Sequence, residues 1–428
     1  ADPMGHLRLN APAGLVLSYP SKVVLSGKLD SFDFLGWNEF LKPYWGQGGA
    51  SSVLVENLTI EHFQIDQFLF EDMIVNGQSL GSEYLLTFDS NRLAGSVKFG
   101  QSDRLSLDIN TLLLPVYNDY GVMDEPSKEN WLLDDPVSLE LGAKLPKMFL
   151  SIESIFLGIE DYGSWSFYLE PDVAGIELTS VDGSIRGMSF KEASVKWDFE
   201  NNRTSFVNQV SIIDLGKALP LWGFSPGVET SSLEMNMDLS WPGSPLNVEL
   251  FSTEGEVAIQ AGEGRFLDEE TSANGLRLLS IFTPYAIMKR INNFDFSDII
   301  GEGMSFDSLN GVTQISYGEL EFTQPLIVES RSSTFEFGGK INLIDDSLNN
   351  EMIVTLPVSK SLPWYGLYLA LANPVAGLGV VIGEQILRKP IEQFSSAKFQ
   401  IEGTFEDPSV RFQSLWDTEL ALPPKTSE

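Results

Sequence analysis

Few residues in this sequence have side chains that could do covalent or metal chemistry. The 428 residues include two histidines, His6 and His62, and no cysteine. A catalytic triad or a histidine metal site would have to use His62, because His6 belongs to Ala1–His6, which resembles a junction placed ahead of the native chain. His62 itself lies where polar and apolar residues alternate, as in a strand. We therefore predict no enzyme activity, no metal site and no cofactor.

The remaining candidate motifs have simpler structural explanations. Gly377–Gly383 is rich in glycine but lacks the GxGxxG spacing of a nucleotide-binding loop. Asp268–Gly275 and Asp295–Asp298 lack the alternating oxygen ligands of a calcium loop, and their acidic residues suit turns and helix caps. With sixty acidic residues in the chain, a pair of carboxylates at glycosidase spacing is uninformative. A carbohydrate-active enzyme is therefore the least favoured class.

The charge of the chain restricts its partners. Sixty acidic and 27 basic residues give a formal net charge of −33. Such a surface repels nucleic acid and anionic lipid headgroups. The first residues lack the basic start and the apolar core of a signal peptide. We expect a fragment of a longer protein that binds no nucleic acid.

Segments in which polar and apolar residues alternate fill the first 250 residues and predict strands. In Arg104–Asn110, for example, Leu105, Leu107 and Ile109 fall on one face of the predicted strand. Similar segments recur at intervals of roughly ten residues. This spacing favours either stacked sandwiches or a mainly β fold with one long antiparallel curled sheet. Because few helices are predicted, a long sheet would keep an open apolar groove.

Two segments depart from the strand pattern. Ser361–Gly383 has no charged residue, although 20% of the chain is charged. Pro374, preceded by Asn373, divides this segment into two short apolar helices. Asn274–Ile291 repeats apolar residues at helical spacing. We predict helices at about 274–292 and 362–391, near the C-terminal end of the sheet.

An ordered series of short motifs resembles the C-terminal part of the YhdP branch of the AsmA-like proteins of Gram-negative bacteria. The motifs are Asp214-Leu215-Gly216, Trp222-Gly223, Trp241–Pro245, Gly262–Phe266, Arg277-Leu278-Leu279, Phe294–Asp298, Leu356-Pro357-Val358, Asn373–Gly377 and Asp407-Pro408. Each motif alone is weak, but their order over the region from Met148 onward is specific. The acidic excess and Phe405, where the family often has tryptophan, depart from the pattern.

This resemblance implies a periplasmic protein whose inner-membrane anchor precedes the present chain. It also implies a long sheet, open like a taco, whose apolar lining carries phospholipid acyl chains towards the outer membrane and supports its permeability barrier. The predicted division is 1–9 as a lead-in, 10–140 and 141–250 as successive groove segments, 251–415 as the AsmA-like C-terminal region, and 416–428 as a tail. The alternative is a closed structural or adhesive β-protein without a lipid conduit.

Two groups of apolar residues are the candidate sites. The first group faces the predicted groove: Leu58, Ile60, Val97, Phe99, Leu105, Leu107, Ile109, Phe149, Ile152, Phe167, Leu169, Val195, Trp197, Met235, Met237 and Leu239. The second group, on the predicted helices, would form a gate or a contact with the outer membrane or with an envelope protein there: Leu278, Phe282, Tyr285, Trp364, Leu367, Leu371, Val375, Val380 and Val381.

Overall fold

The structure is a computed structural model. It describes residues 5–10, 22–34, 36, 53–66, 68–80, 83–100, 104–114, 135, 137–157, 160–221, 227–248, 251–267, 304–331, 333–357, 394–404, 407–415, 417 and 419–420. The predicted helices at 274–292 and 362–391 lie outside these residues.

Strands dominate the described residues. They are β1 Gly5–Leu9, β2 Val23–Asp33, β3 Val53–Ile65, β4 Phe68–Leu80, β5 Glu83–Asp89, β6 Leu93–Phe99, β7 Leu105–Leu114, β8 Met148–Leu157, β9 Glu160–Asp161, β10 Ser164–Pro171, β11 Gly175–Ile185, β12 Met188–Asp198, β13 Arg203–Ile212, β14 Val228–Thr230, β15 Leu233–Pro242, β16 Glu254–Ala261, β17 Gly264–Phe266, β18 Met304–Phe306, β19 Ser308–Ser316, β20 Glu319–Ser330, β21 Ser333–Asn342, β22 Ser347–Pro357, β23 Phe394–Thr404 and β24 Pro408–Leu415. Two short helices accompany them, α1 Leu139–Lys144 and α2 Leu215–Leu221.

Hydrogen bonding groups these strands into a sheet of 21 strands and a sheet of three. The predicted mainly β fold with one large, mostly antiparallel sheet is confirmed. The predicted curl and open groove remain predictions. The chain divides into two compact units, unit 1 with Ala1–Asn208 and Ser240–Val248, and unit 2 with Gln209–Leu239 and Glu249–Glu428.

Unit 1 is a long meander with three parallel joints. Neighbouring strands from β3 to β7 pair antiparallel, and so do β8 with β10, β10 with β11 and β11 with β12. The pairs β1–β2, β2–β3 and β7–β8 are instead parallel. Arg186 and Gly187, both at positive φ, form the two-residue hairpin loop between β11 and β12, a geometry that suits the twist of the strands it joins.

Unit 2 pairs its sheet strands antiparallel in the order β16, β19, β20, β21, β22, β23 and β24. One face of this sheet carries a dense core. Phe335, Met352, Phe399 and Ile401 are each at most 1% exposed. The small sheet of β14, β17 and β18 packs against them through side chains such as Phe266. The interior of unit 2 is therefore filled by its own side chains.

We expect the stability of unit 2 to depend on pH through a carboxyl group on the other face of this sheet. Glu336 lies between Ile327 and Ile353 in the register, and burial raises the pKa of Glu336. Because the pKa of Glu336 is higher in the folded protein, its contribution to stability is complete at pH values below the ordinary pKa of glutamate. The contribution is lost as the pH rises through the pKa of the folded state. We expect Glu336→Gln to be more stable than the wild type at pH 7, with the difference vanishing near pH 3.

Urea unfolding at both pH values measures this effect, with Glu256→Gln, at an exposed position of β16, as the matched control. A gain for Glu336→Gln that is the same at both pH values would contradict the assignment to this carboxyl group.

Candidate functional site

The centre of unit 1 contains an apolar sheet face that begins on β7. Leu105, Leu107 and Ile109 alternate along this strand. Leu107 lies directly opposite Val97 of β6 and Leu150 of β8. Directly opposite residues share one face of a sheet, so these side chains form one apolar patch across three strands.

The same face continues through β8, β10, β11 and β12. The directly opposite pairs that carry it are Ile152 with Trp165, Leu150 with Phe167, Met148 with Leu169, Leu169 with Leu178, Leu178 with Val195, and Ile176 with Trp197. In the other direction it continues through β5, β4, β3 and β2, in the pairs Val97 with Leu86, Phe99 with Tyr84, Phe88 with Val75, Val75 with Leu58, Met73 with Ile60, and Ile60 with Leu29.

Shared members join the contact clusters of this face into one. Leu107 belongs to the cluster around Ile60 and Ile109 and also to the cluster around Trp197. Phe167 and Leu178 belong to the Trp197 cluster and also to the cluster around Val195. We call this face, from β2 to β12, the apolar strip. Leu107, Phe167 and Leu178 are only half-buried, unlike the core of unit 2.

One described helix packs on the strip. Helix α1 begins at the N-cap Ser138, whose hydroxyl accepts a hydrogen bond from the backbone N–H of Leu141 at 3.0 Å. A Cβ atom added to Gly142 would come within 2.5 Å of the Trp197 ring. The glycine therefore lets the helix backbone approach the end of the strip closely.

Glycines also flatten the strip. A Cβ atom on Gly183 would lie 2.5 Å from the ring of Trp165, and a Cβ atom on Gly77 would lie 2.5 Å from Leu86 and 2.8 Å from the Tyr84 hydroxyl. The large side chains of the neighbouring strands therefore lie over the backbone at these two positions. These side chains can therefore lie flat along the sheet instead of standing out from it.

Tyr84 places a polar atom within this apolar face. The residue is 6% exposed, and burial raises the pKa of its hydroxyl group. Among the described residues, Oη has no hydrogen-bond partner. The sequence analysis did not single out Tyr84, although the alternation of Tyr84, Leu86 and Phe88 is a strand signal of the kind used elsewhere.

Twelve of the predicted groove residues share the strip: Leu58, Ile60, Val97, Phe99, Leu105, Leu107, Ile109, Ile152, Phe167, Leu169, Val195 and Trp197. Phe149 is an exception. It lies opposite Ser106 and Tyr168, on the other face, where its ring packs 5.0 Å from the Tyr168 ring. Its assignment to the same face as Leu107 is corrected.

The other predicted site residues lie elsewhere. Met235, Met237 and Leu239 are half-buried on one side of β15. The nine predicted gate residues, at 278, 282, 285, 364, 367, 371, 375, 380 and 381, lie outside the described residues. Whether any of these residues contacts lipid remains a prediction.

The histidines and a serine motif have structural roles. His62 Nδ1 lies 3.0 Å from the backbone oxygen of Asp30, and His6 Nε2 lies 2.7 Å from Ser26 Oγ. Gly77–Gly81 has GxSxG spacing, but its Ser79 is within β4 and pairs with β5 of an antiparallel hairpin, which differs from the strand–turn–helix of a nucleophile elbow. Within the described ranges, no group of acidic or histidine side chains could hold a metal ion.

A comparison with known protein families agrees with these observations. A family model described as "YhdP protein" matches residues 3–410. The chain belongs to the YhdP family. The resemblance to YhdP-type AsmA-like proteins in the sequence analysis is thereby confirmed.

One curated relative in this family is the intermembrane phospholipid transporter YhdP of Escherichia coli (strain K12). It is 28% identical to the chain over 244 residues, which cover 56% of the chain and 19% of the relative. The YhdP-family chain thus spans about a fifth of this relative's length. No solved structure matches it. In the part of this YhdP-family chain that the structure describes, no helix has the length and apolar character needed to cross a membrane.

Proposed function

We propose that this chain binds phospholipid by its acyl chains on the apolar strip of unit 1 and takes part in moving it between membranes, without covalent chemistry. The observation that carries the proposal is the continuity of the strip, because Leu107, Phe167 and Leu178 join its clusters from β2 to β12. Membership of the YhdP family and the printed name of the E. coli relative support phospholipid as the ligand.

The energetics favour acyl chains as the ligand of such a surface. Removing one CH₂ group from water contributes about 0.8 kcal/mol, so a chain of many CH₂ groups can bind without any specific polar contact. Binding of this kind is non-directional. A lipid could therefore shift from strand to strand with little loss of free energy, which suits transport better than tight storage.

The net charge of −33 favours lipids with zwitterionic headgroups over anionic ones. Unit 2, with its interior filled by Phe335, Phe399 and their neighbours, would serve as a rigid domain. We further propose a periplasmic location, an inner-membrane anchor elsewhere in the full-length protein, and a role in the outer-membrane permeability barrier.

We propose that the uncharged Ser361–Gly383 and the apolar residues of Asn274–Ile291 contact the outer membrane or an envelope protein, or form a gate. We expect the double variant Leu369→Asp/Val380→Asp to lose membrane association and lipid transfer, because two charges would enter apolar surface. Vesicle flotation and lipid-transfer assays measure both properties. Full retention of both would contradict the gate.

Native mass spectrometry with lipid extraction tests the proposal on the chain itself. The protein is purified under mild conditions from a lysate that still contains membranes, and is then mixed with phospholipid vesicles. We expect copurifying phospholipid and further uptake from the vesicles. A folded protein that neither retains nor takes up phospholipid would support the alternative, a closed structural β-protein.

A further inference from the structure

We infer that the hydroxyl group of Tyr84 donates a hydrogen bond to the carbonyl oxygen of a lipid acyl ester, so that Tyr84 fixes where the glycerol end of a phospholipid rests on the apolar strip. The inference rests on the proposed function and adds to it the chemical group that is recognised. The strip otherwise binds acyl chains without a preferred position, and Tyr84 provides one.

The first step is the position of the hydroxyl group. Tyr84 is 6% exposed, and its Oη atom has no hydrogen-bond partner within the described part of the chain. The ring packs against Phe99 with 5.4 Å between centroids. The missing side chain of Gly77 leaves room for Oη, since a Cβ atom there would lie 2.8 Å away. The hydroxyl is thus held in place by its ring, over Gly77 and near Leu86.

The second step is the chemistry of an unpaired hydroxyl. A buried hydroxyl without a partner loses its hydrogen bonds to water and gains none in return, which disfavours the folded state. Buried tyrosine hydroxyls usually find a partner. The directly opposite residues are Ser79 of β4 and Phe99 of β6, and the Tyr84 hydroxyl forms no hydrogen bond with either of them. A ligand that binds here can therefore stabilise the complex by bringing an acceptor.

The third step is which acceptor a lipid can bring. The hydrocarbon chain has none, and a charged phosphate group is strongly disfavoured at a site that is almost fully removed from water. The carbonyl oxygen of an acyl ester is neutral, is a good acceptor and is attached directly to the apolar chain. It is the polar group of a phospholipid that most readily accompanies the chain into an apolar face.

The fourth step is the place of Tyr84 along its strand. It is the second residue of β5 and follows the exposed Glu83. Glu83 points to the other face, so Tyr84 is the first residue of β5 on the strip, and its neighbours Ser79 and Phe99 lie at the ends of β4 and β6. Tyr84 therefore lies at the margin of the strip. A lipid whose ester group lies at Tyr84 would extend its acyl chains over Leu86 and Val97 while its headgroup remains in water.

A comparison of ester and ether lipids tests this inference. Phosphatidylethanolamine with two ester-linked chains and its analogue with two ether-linked chains differ in the carbonyl oxygens and share headgroup and chain length. Equimolar mixtures are offered to the wild-type chain, and bound lipid is quantified by native mass spectrometry. We expect the ester lipid to be preferred about fivefold, as one net hydrogen bond would produce.

The variant Tyr84→Phe keeps the ring and removes the hydroxyl, so we expect it to bind both lipids equally and to unfold at no lower temperature than the wild type. The matched control is Tyr168→Phe, since Tyr168 lies on the other face and is 36% exposed. This control should keep the wild-type preference.

Equal binding of ester and ether lipids by the wild type would overturn the inference, whether or not Tyr84→Phe folds. An unchanged ester preference in Tyr84→Phe would overturn it as well. In both cases the proposed function would stand, because lipid is still bound. A wild-type chain that binds neither lipid would instead overturn the proposed function.

Discussion

Replacing Leu107 by aspartate is expected to reduce bound phospholipid by about tenfold or more, with little change in secondary structure. Leu107 is half-buried in the strip and joins two of its clusters. A carboxylate there would have to lose water whenever an acyl chain covered it, with no cation opposite it, since its cross-strand neighbours are Val97 and Leu150. Lipid extracted per mole of purified protein measures the effect.

The neighbouring Ser106→Asp is the control. Ser106 belongs to the same strand but lies on the other face, opposite Lys98 and Phe149. The same charge is added there within one residue of Leu107 and beside a cation, so lipid content should equal that of the wild type. Wild-type lipid content in both variants would contradict the assignment of the strip as the binding face. An equal loss of lipid in both variants would also contradict it, because the added charge alone would then explain the loss.

Replacing Phe399 by alanine is expected to destabilise the chain by about 3–5 kcal/mol, the cost of removing a fully buried phenyl group and leaving a cavity. Phe399 is 0% exposed and belongs to the closed core of unit 2. Because domains are stable by only about 5–15 kcal/mol, this is a large fraction of the total. Urea unfolding followed by circular dichroism measures it.

Phe412→Ala is the matched control, because Phe412 lies directly opposite Phe399 with ring centroids 5.9 Å apart but is only half-buried. Its loss should cost less than half as much. We also expect Phe399→Ala, where folded, to retain bound lipid. A Phe399→Ala variant that kept its stability but lost its lipid would reverse the roles assigned to the two units.

Much of the strip could be predicted because alternation is local information. Leu105, Leu107 and Ile109 have polar neighbours on β7, so their common face follows from the period of a strand. Phe149 could not be assigned in this way. Its strand begins Met148-Phe149-Leu150, which is apolar on both faces. The face of each residue is decided by pairing with residues far away in sequence, since Met148 lies opposite Leu105 and Phe149 lies opposite Tyr168.

The role of Tyr84 was missed for a different reason. Tyrosine is an ordinary strand residue, and the sequence contains no sign that its hydroxyl would lack a partner. That property depends on Gly77 and Phe99, which reach Tyr84 through the pairing of β5 with β4 and β6. The parallel pairs of strands could not be predicted either, because the direction of a strand depends on the end of the sheet to which its connecting segment leads.

Those parallel joints have a consequence for the order of folding. A hairpin such as β11–β12 pairs Ile185 with Met188 and closes a very short loop, whereas the β7–β8 joint pairs Leu105 with Met148 across a long one. Closing a long loop costs more chain entropy before any contact compensates for it. We therefore expect the meander β3 to β7 and the group β8 to β12 to form first, as separate cooperative blocks. The β7–β8 joint then forms last, and only at that step do the two halves of the strip become continuous.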